Sequence, residues 1–235
     1  MRQIRAITLD LDDTLWEIGP VIRRAESRLW EWLNYHYPRI GERWNSESLL
    51  GLRRELSARH ADLAHDLRFM RKQVLRHIAV DAGYAEDLVE PAFAVFDKAR
   101  NEVQFFPDVL PALEALARQF SIIAVTNGNA NLDAIGLRHL FRDVVTAVDV
   151  GAAKPAAAIF DEAVRRAGVA PHEALHVGDH PELDVDGARN AGLRTAWMNR
   201  NGYDWPGHLP EPDLTVSTVT ELRQALTRAS RPDGG

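Results

Sequence analysis

From about residue 100 onward the chain repeats one pattern: a short apolar run, a turn, then an amphipathic segment of helical period. The runs fall at 122–125, 144–148, 174–177, 195–198 and 214–216, and one more, 4–9, opens the chain. The amphipathic segments lie at 109–119, 133–141, 156–167 and 186–191, with Gly168 and Gly192 where a left-handed residue would end a helix. Strands that alternate with helices imply crossover connections, and so a parallel sheet covered by helices on both faces.

Residues 17 to 102 break this rhythm. No strand pattern is found there; 21–35, 46–64, 67–81 and 86–103 read as helices, bounded by Pro38, Gly41 and Gly83, with Pro20 suited to a helix start. The expected architecture is α/β: a Rossmann-like parallel-sheet core of residues 1–16 and 103–235, with an all-helical domain, 17–102, inserted after the first strand.

The charge and residue inventory excludes several chemistries. Without cysteine there are no disulfides, thiolate zinc sites or cysteine nucleophiles. A formal net charge of −6 supplies no overall basic field for nucleic acid. No apolar stretch approaches the roughly 20 residues of a membrane helix, and no leader is legible, so a cytoplasmic protein, monomer or homodimer, is expected. The tail, 230–235, is polar and expected to fray. Within the insert, residues 18–80 hold twelve Lys/Arg against seven Asp/Glu. That excess either favours an anionic substrate or is a solvated helix face.

Four polar groups stand just past the apolar runs. Asp10 and Asp12 follow the first; Thr126, Asn127 and Gly128 follow 122–125; Lys154 and Pro155 come a short loop after 144–148; Gly178 and Asp179, with Asp184, follow 174–177. In a parallel sheet the strands' carboxyl ends share one edge, where open α/β sheets bind ligands. Asp10 and Asp12, two apart in extended chain, face the same side. Crowded carboxylates repel, which raises one pKa unless a cation holds both charged. Asp10, Asp179 and Asp184 form a hard oxygen set that suits Mg²⁺. Lys154 can balance phosphate charge, Thr126 offers a hydroxyl, and the turn at Asn127 and Gly128 can present backbone N–H groups to an anion. Together these describe a phosphoryl-transfer site acting on a small phosphorylated metabolite. There is no Walker loop, so a nucleotide is not the expected phosphate donor.

Other polar residues have plainer readings. Asp13 and Thr14 suit turn hydrogen bonds, Asp186 a helix N-cap, and His176 a satisfied core position. His180 reads as incidental. Trp30, Trp32 and Trp44 read as core aromatics that could instead stack on a ring, and Arg68, Arg71 and Lys72 could reach a substrate.

The motifs Asp10-Leu11-Asp12-Asp13-Thr14, Thr126-Asn127-Gly128, Lys154-Pro155 and Gly178-Asp179 through Asp184 resemble, in order and over essentially the whole chain, those of the haloacid dehalogenase-like superfamily. The insert resembles that family's C1 cap, which would open for substrate entry and close to exclude water. The resemblance implies that Asp10 is a nucleophile forming an aspartyl phosphate, and that Asp12 is the general acid and base, with a pKa above that of Asp10 and a backbone carbonyl on the metal. It further implies that Thr126 and Asn127 bind phosphate and that Lys154 orients Asp10 and neutralises charge. Asp179 would ligate Mg²⁺, and Asp184 would do so directly or through water. Dehalogenases of the family lack the second acid, because a halide leaves without a proton; Asp12 therefore favours a phosphatase, with a phosphosugar mutase or a non-catalytic binding protein as alternatives. Residues 9–16, 126–130 and 175–179 are similar to a bacterial phosphatase group acting on 5-amino-6-(5-phosphoribitylamino)uracil and FMN.

Overall fold

The structure, a computed structural model, describes residues 4–229, so the tail expected to fray lies outside the described residues. The chain divides into two compact units. Among the described residues, one comprises 18–103 and 129–135, and the other 4–17, 104–128 and 136–229.

The first unit is helical: α1 (Ile18–His36), α2 (Pro38–Arg43), α3 (Ser46–Arg59), α4 (Leu67–Asp81) and α5 (Val89–Arg100). Val21, Ala25, Leu29 and Leu33 line one stripe of α1 at a spacing of four, the period of a single helix face. Ala25, Leu29 and Leu33 join Leu75, Ile78, Phe93 and Phe96 in the core of this unit. Asn45 caps α3, sharing reciprocal bonds with Ser48, and the Asp66 carboxylate accepts from Phe69 N–H to start α4. The helix α2 is not expected from the sequence, where Pro38 reads as a boundary; Pro38 instead occupies the first helical turn, where its missing N–H costs nothing.

The basic excess of 18–80 is met within the unit. Arg28, Arg43, Arg68, Lys72 and Arg76 pair with Glu102, Asp81, Asp97, Glu90 and Glu86, acids supplied by the stretch that follows. The plainer reading, a solvated charged surface, accounts for these side chains.

The second unit carries a six-stranded, all-parallel sheet in the order β3-β2-β1-β4-β5-β6. The strands are β1 (Ala6–Leu9), β2 (Ser121–Thr126), β3 (Asp143–Thr146), β4 (Ala174–Gly178), β5 (Arg194–Met198) and β6 (Leu214–Val216). Its helices are α6 (Val109–Ala117), α8 (Ala147–Val150), α9 (Ala157–Ala167), α10 (Gly187–Asn190) and α11 (Val219–Ala229), while α7 (Leu132–Ile135) belongs with the helical unit. All four residues of β1 are buried, as both-face coverage demands. The sheet is the Rossmann-like parallel core that the alternating pattern predicts. The chain runs from β1 outward to β3 and returns to β4 on the other side of β1, which places a topological switch point between β1 and β4.

Three elements differ from expectation, each through local chemistry. The third run ends as a strand at Thr146, whose hydroxyl and Asp149 form a capping box that turns 147–150 into α8. The segment 133–141 holds only a one-turn helix and a short 3₁₀ turn, separated by Gly136 at φ +85°. Asp186 does not cap α10: a π-helical stretch, Pro181–Asp186, runs straight into it, and Asp186 accepts from Asn190 instead. Among the described residues no helix is long and apolar enough to cross a membrane.

Candidate active site

The parallel register sets the site. Leu9 lies level with Ala124 of β2 and Val177 of β4, so the residues that follow emerge together at one rim. Asp10 leaves β1 with its N–H bonded to the Val177 carbonyl. Thr126 ends β2, and Asp179 follows β4. Carboxylate oxygens of Asp10, Asp179 and Asp184 all lie within 4.8 Å of one another.

Lys154 lies between two of the acids. Its Nζ donates to Asp10 Oδ1 at 2.5 Å and to Asp184 Oδ1 at 2.6 Å, with its side chain 3% exposed. The loop that carries it is clamped by Asn127, which accepts from Lys154 N–H at 2.7 Å and donates to its carbonyl at 3.0 Å. The Asn127 side chain is thus engaged by this loop, and its place in an anion site is left to the main chain. Thr126 is buried, and its Oγ1 accepts from Gly128 N–H at 2.9 Å, shaping the turn. Close packing supports the same loop: a Cβ on Gly187 would meet Pro155 Cβ at 2.8 Å. On Gly178 a Cβ would meet Asp184 Cγ at 2.3 Å, so only glycine lets Asp184 approach the end of β4.

The π-helical stretch brings an Asp184 oxygen within 4.8 Å of one on Asp179; such irregular turns recur at functional sites. His180 caps it, accepting from Leu183 N–H, and its own N–H donates to Asp184 Oδ2 at 3.0 Å. Behind the acids, His176 Nε2 lies 3.1 Å from Asp184 Oδ1 and Nδ1 lies 2.9 Å from Thr8 Oγ1. Burial holds this imidazole below the usual histidine range, with Asp184 opposing and Lys154 adding to the shift. Neutral His176 therefore donates from Nε2 and accepts from Thr8.

Asp12 stands apart from the three clustered acids. Its Oδ1 accepts from Trp16 Nε1 at 2.8 Å, in a loop where Asp13 takes a φ of +58°. Its carboxylate is not among the three that converge. Thr14, read as a turn residue, reaches both flanks: its hydroxyl lies 3.3 Å from Asp10 Oδ2 and 3.5 Å from Asp179 Oδ1.

Two supports went unread in the sequence. Trp197 Nε1 donates to the Asp179 carbonyl at 2.8 Å. Arg200 donates to the Thr14 carbonyl at 2.8 Å and pairs with Asp108, bracing the loop after β1. Their signal was position: both lie at or just beyond the carboxyl end of β5, on the rim already chosen for the other motifs.

The electrostatics show too much negative charge. Burial lifts Asp10 well above the usual carboxylate range; Lys154 opposes this, while Asp184 and Asp179 add to it. Asp179 is pushed up to about 7 by burial and then by Asp184 and Asp13. Asp184 goes the other way: burial would raise it, but Lys154 and the His176 bond hold it ionised below the ordinary range. Burial disfavours the charged form of Lys154, yet Asp10 and Asp184 together keep it protonated. One lysine does not balance three acids. The upward shift at Asp10 also runs against the ionised state expected of a nucleophile. An oxygen-only donor set with surplus negative charge fits a hard divalent cation.

Replacing His176 with Leu should leave the Thr8 hydroxyl and a buried Asp184 oxygen each short of a partner. We expect a loss of about 1–3 kcal/mol in unfolding free energy, read by urea titration. No change would show that the His176 contacts contribute nothing to the fold.

Comparison with known proteins gives the same chemistry a family. The haloacid dehalogenase-like hydrolase family matches residues 4–192. The chain is 31% identical to 5-amino-6-(5-phospho-D-ribitylamino)uracil phosphatase YigB of Escherichia coli K12, over 95% of this chain and 97% of that one. It is 27% identical to human N-acylneuraminate-9-phosphatase, over 96% and 95%. A crystal structure described as 2-haloacid dehalogenase from Pseudomonas syringae pv. Tomato DC3000 superposes with a TM-score of 0.90 at 40% identity, covering 96% of this chain and 99% of that one. The enzyme class that family and phosphatase relatives support is phosphoric monoester hydrolase. The chain belongs to the haloacid dehalogenase-like hydrolase family.

Proposed function

We propose that the protein is a Mg²⁺-dependent phosphatase that hydrolyses a small phosphate monoester through an aspartyl phosphate on Asp10. The observation that carries this reading is the cluster of Asp10, Asp179 and Asp184 at the switch point of the sheet, with Asp10 and Asp184 buried and both bonded to Lys154. Asp10, Asp179 and Asp184, with the carbonyl of Asp12, would hold the metal. When bound, it offsets the repulsion that raises the Asp10 pKa and screens the charge of the phosphoryl group.

In the first step an Asp10 oxygen attacks phosphorus and the P–O bond to the leaving alcohol breaks. Asp12 gives that oxygen its proton. In the second, water attacks the phosphorus of the aspartyl phosphate, Asp12 takes its proton, and the bond to Asp10 breaks to release inorganic phosphate. Thr126, the turn after it and Lys154 hold the phosphoryl oxygens. The helical unit takes the part of the substrate-selecting cap. The relative that acts on a ribitylaminouracil phosphate makes that ester, together with FMN, the first substrate to try.

The second reading is dehalogenation, which the description of the 40%-identical structure brings forward. A halide leaves without a proton, whereas an alkoxide needs one, so Asp12 has work only in the phosphatase. A panel of phosphate monoesters and 2-haloalkanoates separates the two. We expect inorganic phosphate from the esters and no halide; halide release without phosphate would overturn the proposal.

Chelation should stop hydrolysis, and added Mg²⁺ should restore it. Metal binding must displace the proton that Asp179 carries below about 7. Apparent affinity is therefore expected to rise with pH across that value, as read by calorimetric titration, with Asp10, also raised by burial, adding to the rise. Affinity that is flat from pH 5 to 8 would mean that no carboxyl of raised pKa, Asp179 included, gives up a proton to the metal.

A further inference from the structure

The helical unit contains a cavity of about 300 Å³ among α1, α3, α4 and α5, lined by apolar side chains that include Leu29, Trp30, Leu75 and Phe96. That volume lies at the lower end of the roughly 300–1,000 Å³ typical of small-molecule pockets. Of the aromatic and cationic side chains that the sequence raised as substrate contacts, Trp30 and Arg71 line it. Trp44 instead donates to Asp81, and Arg68 and Lys72 pair with acids beside Phe93.

The charged part of the wall is one connected group. Glu26 Oε1 accepts from Arg53 Nη2 and from Arg71 Nη1, each at 2.9 Å. The Arg71 guanidinium also lies 3.4 Å from the centroid of the Phe96 ring, and its side chain is only 19% exposed. One carboxylate serves two guanidiniums, so the group carries one net positive charge against an apolar wall. Each guanidinium has five N–H donors, and Glu26 takes one from each. A partly desolvated cation beside apolar surface is complementary to an anion attached to an apolar body.

We propose that this cavity binds a singly charged organic anion, whose aromatic or short aliphatic body fills the apolar space and whose acidic group pairs with Arg71 and Arg53. The site stands on the geometry of the helical unit and does not rest on the phosphatase reading. Two sources share this chemistry: the organic part of an enzyme substrate, or a separate regulatory acid.

The probe is anilinonaphthalenesulfonate, whose fluorescence rises in apolar surroundings, with phenylnaphthylamine as its uncharged parent. The 235-residue chain should bind both saturably. Replacing Arg71 with Met keeps an apolar stem over Phe96 and removes the charge. It should weaken the sulfonate about tenfold or more while leaving the parent within about twofold, as expected for a lost charge-assisted hydrogen bond. Arg71→Lys should restore part of the sulfonate affinity. Ala64→Trp, placed at the lining, should weaken both probes. If Arg71→Met fails to fold, Arg53→Met tests the same charged group from a more exposed position. Absence of saturable binding to the wild-type protein, or binding that neither the charge nor the occlusion variant alters, overturns the site. With p-nitrophenyl phosphate as substrate, a raised KM at constant kcat under the sulfonate identifies the substrate source, and a changed kcat at constant KM identifies the regulatory one. The fluorescence reading is independent of turnover, so failure of the phosphatase assignment leaves it intact.

Discussion

Asp10→Asn should abolish phosphate release, by roughly 10⁴-fold or more in kcat, the scale seen when a covalent nucleophile is removed. The substitution keeps the shape of the side chain and one acceptor for Lys154 Nζ, which retains Asp184 as its charged partner at 2.6 Å. The fold should therefore persist, and a thermal melt within a few degrees of wild type would show that chemistry alone was lost. The amide cannot displace an alkoxide from phosphorus, because its lone pair is delocalised and it carries no charge. Turnover within tenfold of wild type would exclude a covalent intermediate on Asp10 and leave Asp12 or a bound water as the attacking group.

Lys154→Met carries the largest expected effect on stability. The lysine is the cation that contacts both Asp10 and Asp184 in a volume from which water is largely excluded. Its loss leaves two facing carboxylates without that partner, and breaking a buried ion pair from one side costs about 3–5 kcal/mol. The pH dependence has a definite sign. Asp10 already has a folded-state pKa above the ordinary value of 3.8, raised by burial, and removal of Lys154 lifts it further. A carboxyl with a raised folded pKa binds more protons in the folded state, so stability falls as pH rises from the ordinary carboxylate range through that higher pKa. The deficit of the variant should thus be greatest at neutral pH and shrink towards pH 4. Urea unfolding at several pH values reads this directly. A deficit below about 1 kcal/mol at neutral pH, or one that grows on acidification, would mean that the pair does not hold this rim together. Added Mg²⁺ should recover part of the loss, because it replaces the missing positive charge.

These two variants separate roles that the structure places on neighbouring atoms. Asp10 is expected to matter for chemistry more than for folding, and Lys154 for both. His176 should behave differently again: it touches Asp184 from behind and, being neutral, supplies a hydrogen bond without charge.

Much of this was legible in the chain itself. Alternation of apolar runs with helical segments is a local pattern that marks the strands of the sheet, 214–216 to the residue, and the helical period within the insert marks α4 equally well. The polar groups of the rim were legible because strand ends in a parallel sheet share an edge, so a residue's place in its own segment already states where it will go. Misreadings arose where short-range hydrogen bonds overrode pattern. Thr146 with Asp149 ended a strand that hydrophobicity alone would continue, and Gly136 split a segment with helical period. The π-helical stretch after Asp179 carries no periodic signal, because the contacts that Asp184, one of its residues, makes with Lys154 and His176 lie far along the chain or across the site rather than in the local pattern.

By itself, then, the order of residues determined which side chains reach the rim: Asp10, Asp12 and Asp179 follow strands, Thr126 ends one, and Lys154 comes in the loop beyond β3 and α8. Tertiary structure alone decided which of them converge. It drew Asp10, Asp179 and Asp184 within 4.8 Å, set Lys154 between two of them, turned Asp12 towards Trp16, and recruited His176, Trp197 and Arg200 as supports. The reason is physical: strand order and burial set both the distance between charges and the dielectric they feel, and neither quantity is a property of a segment read alone.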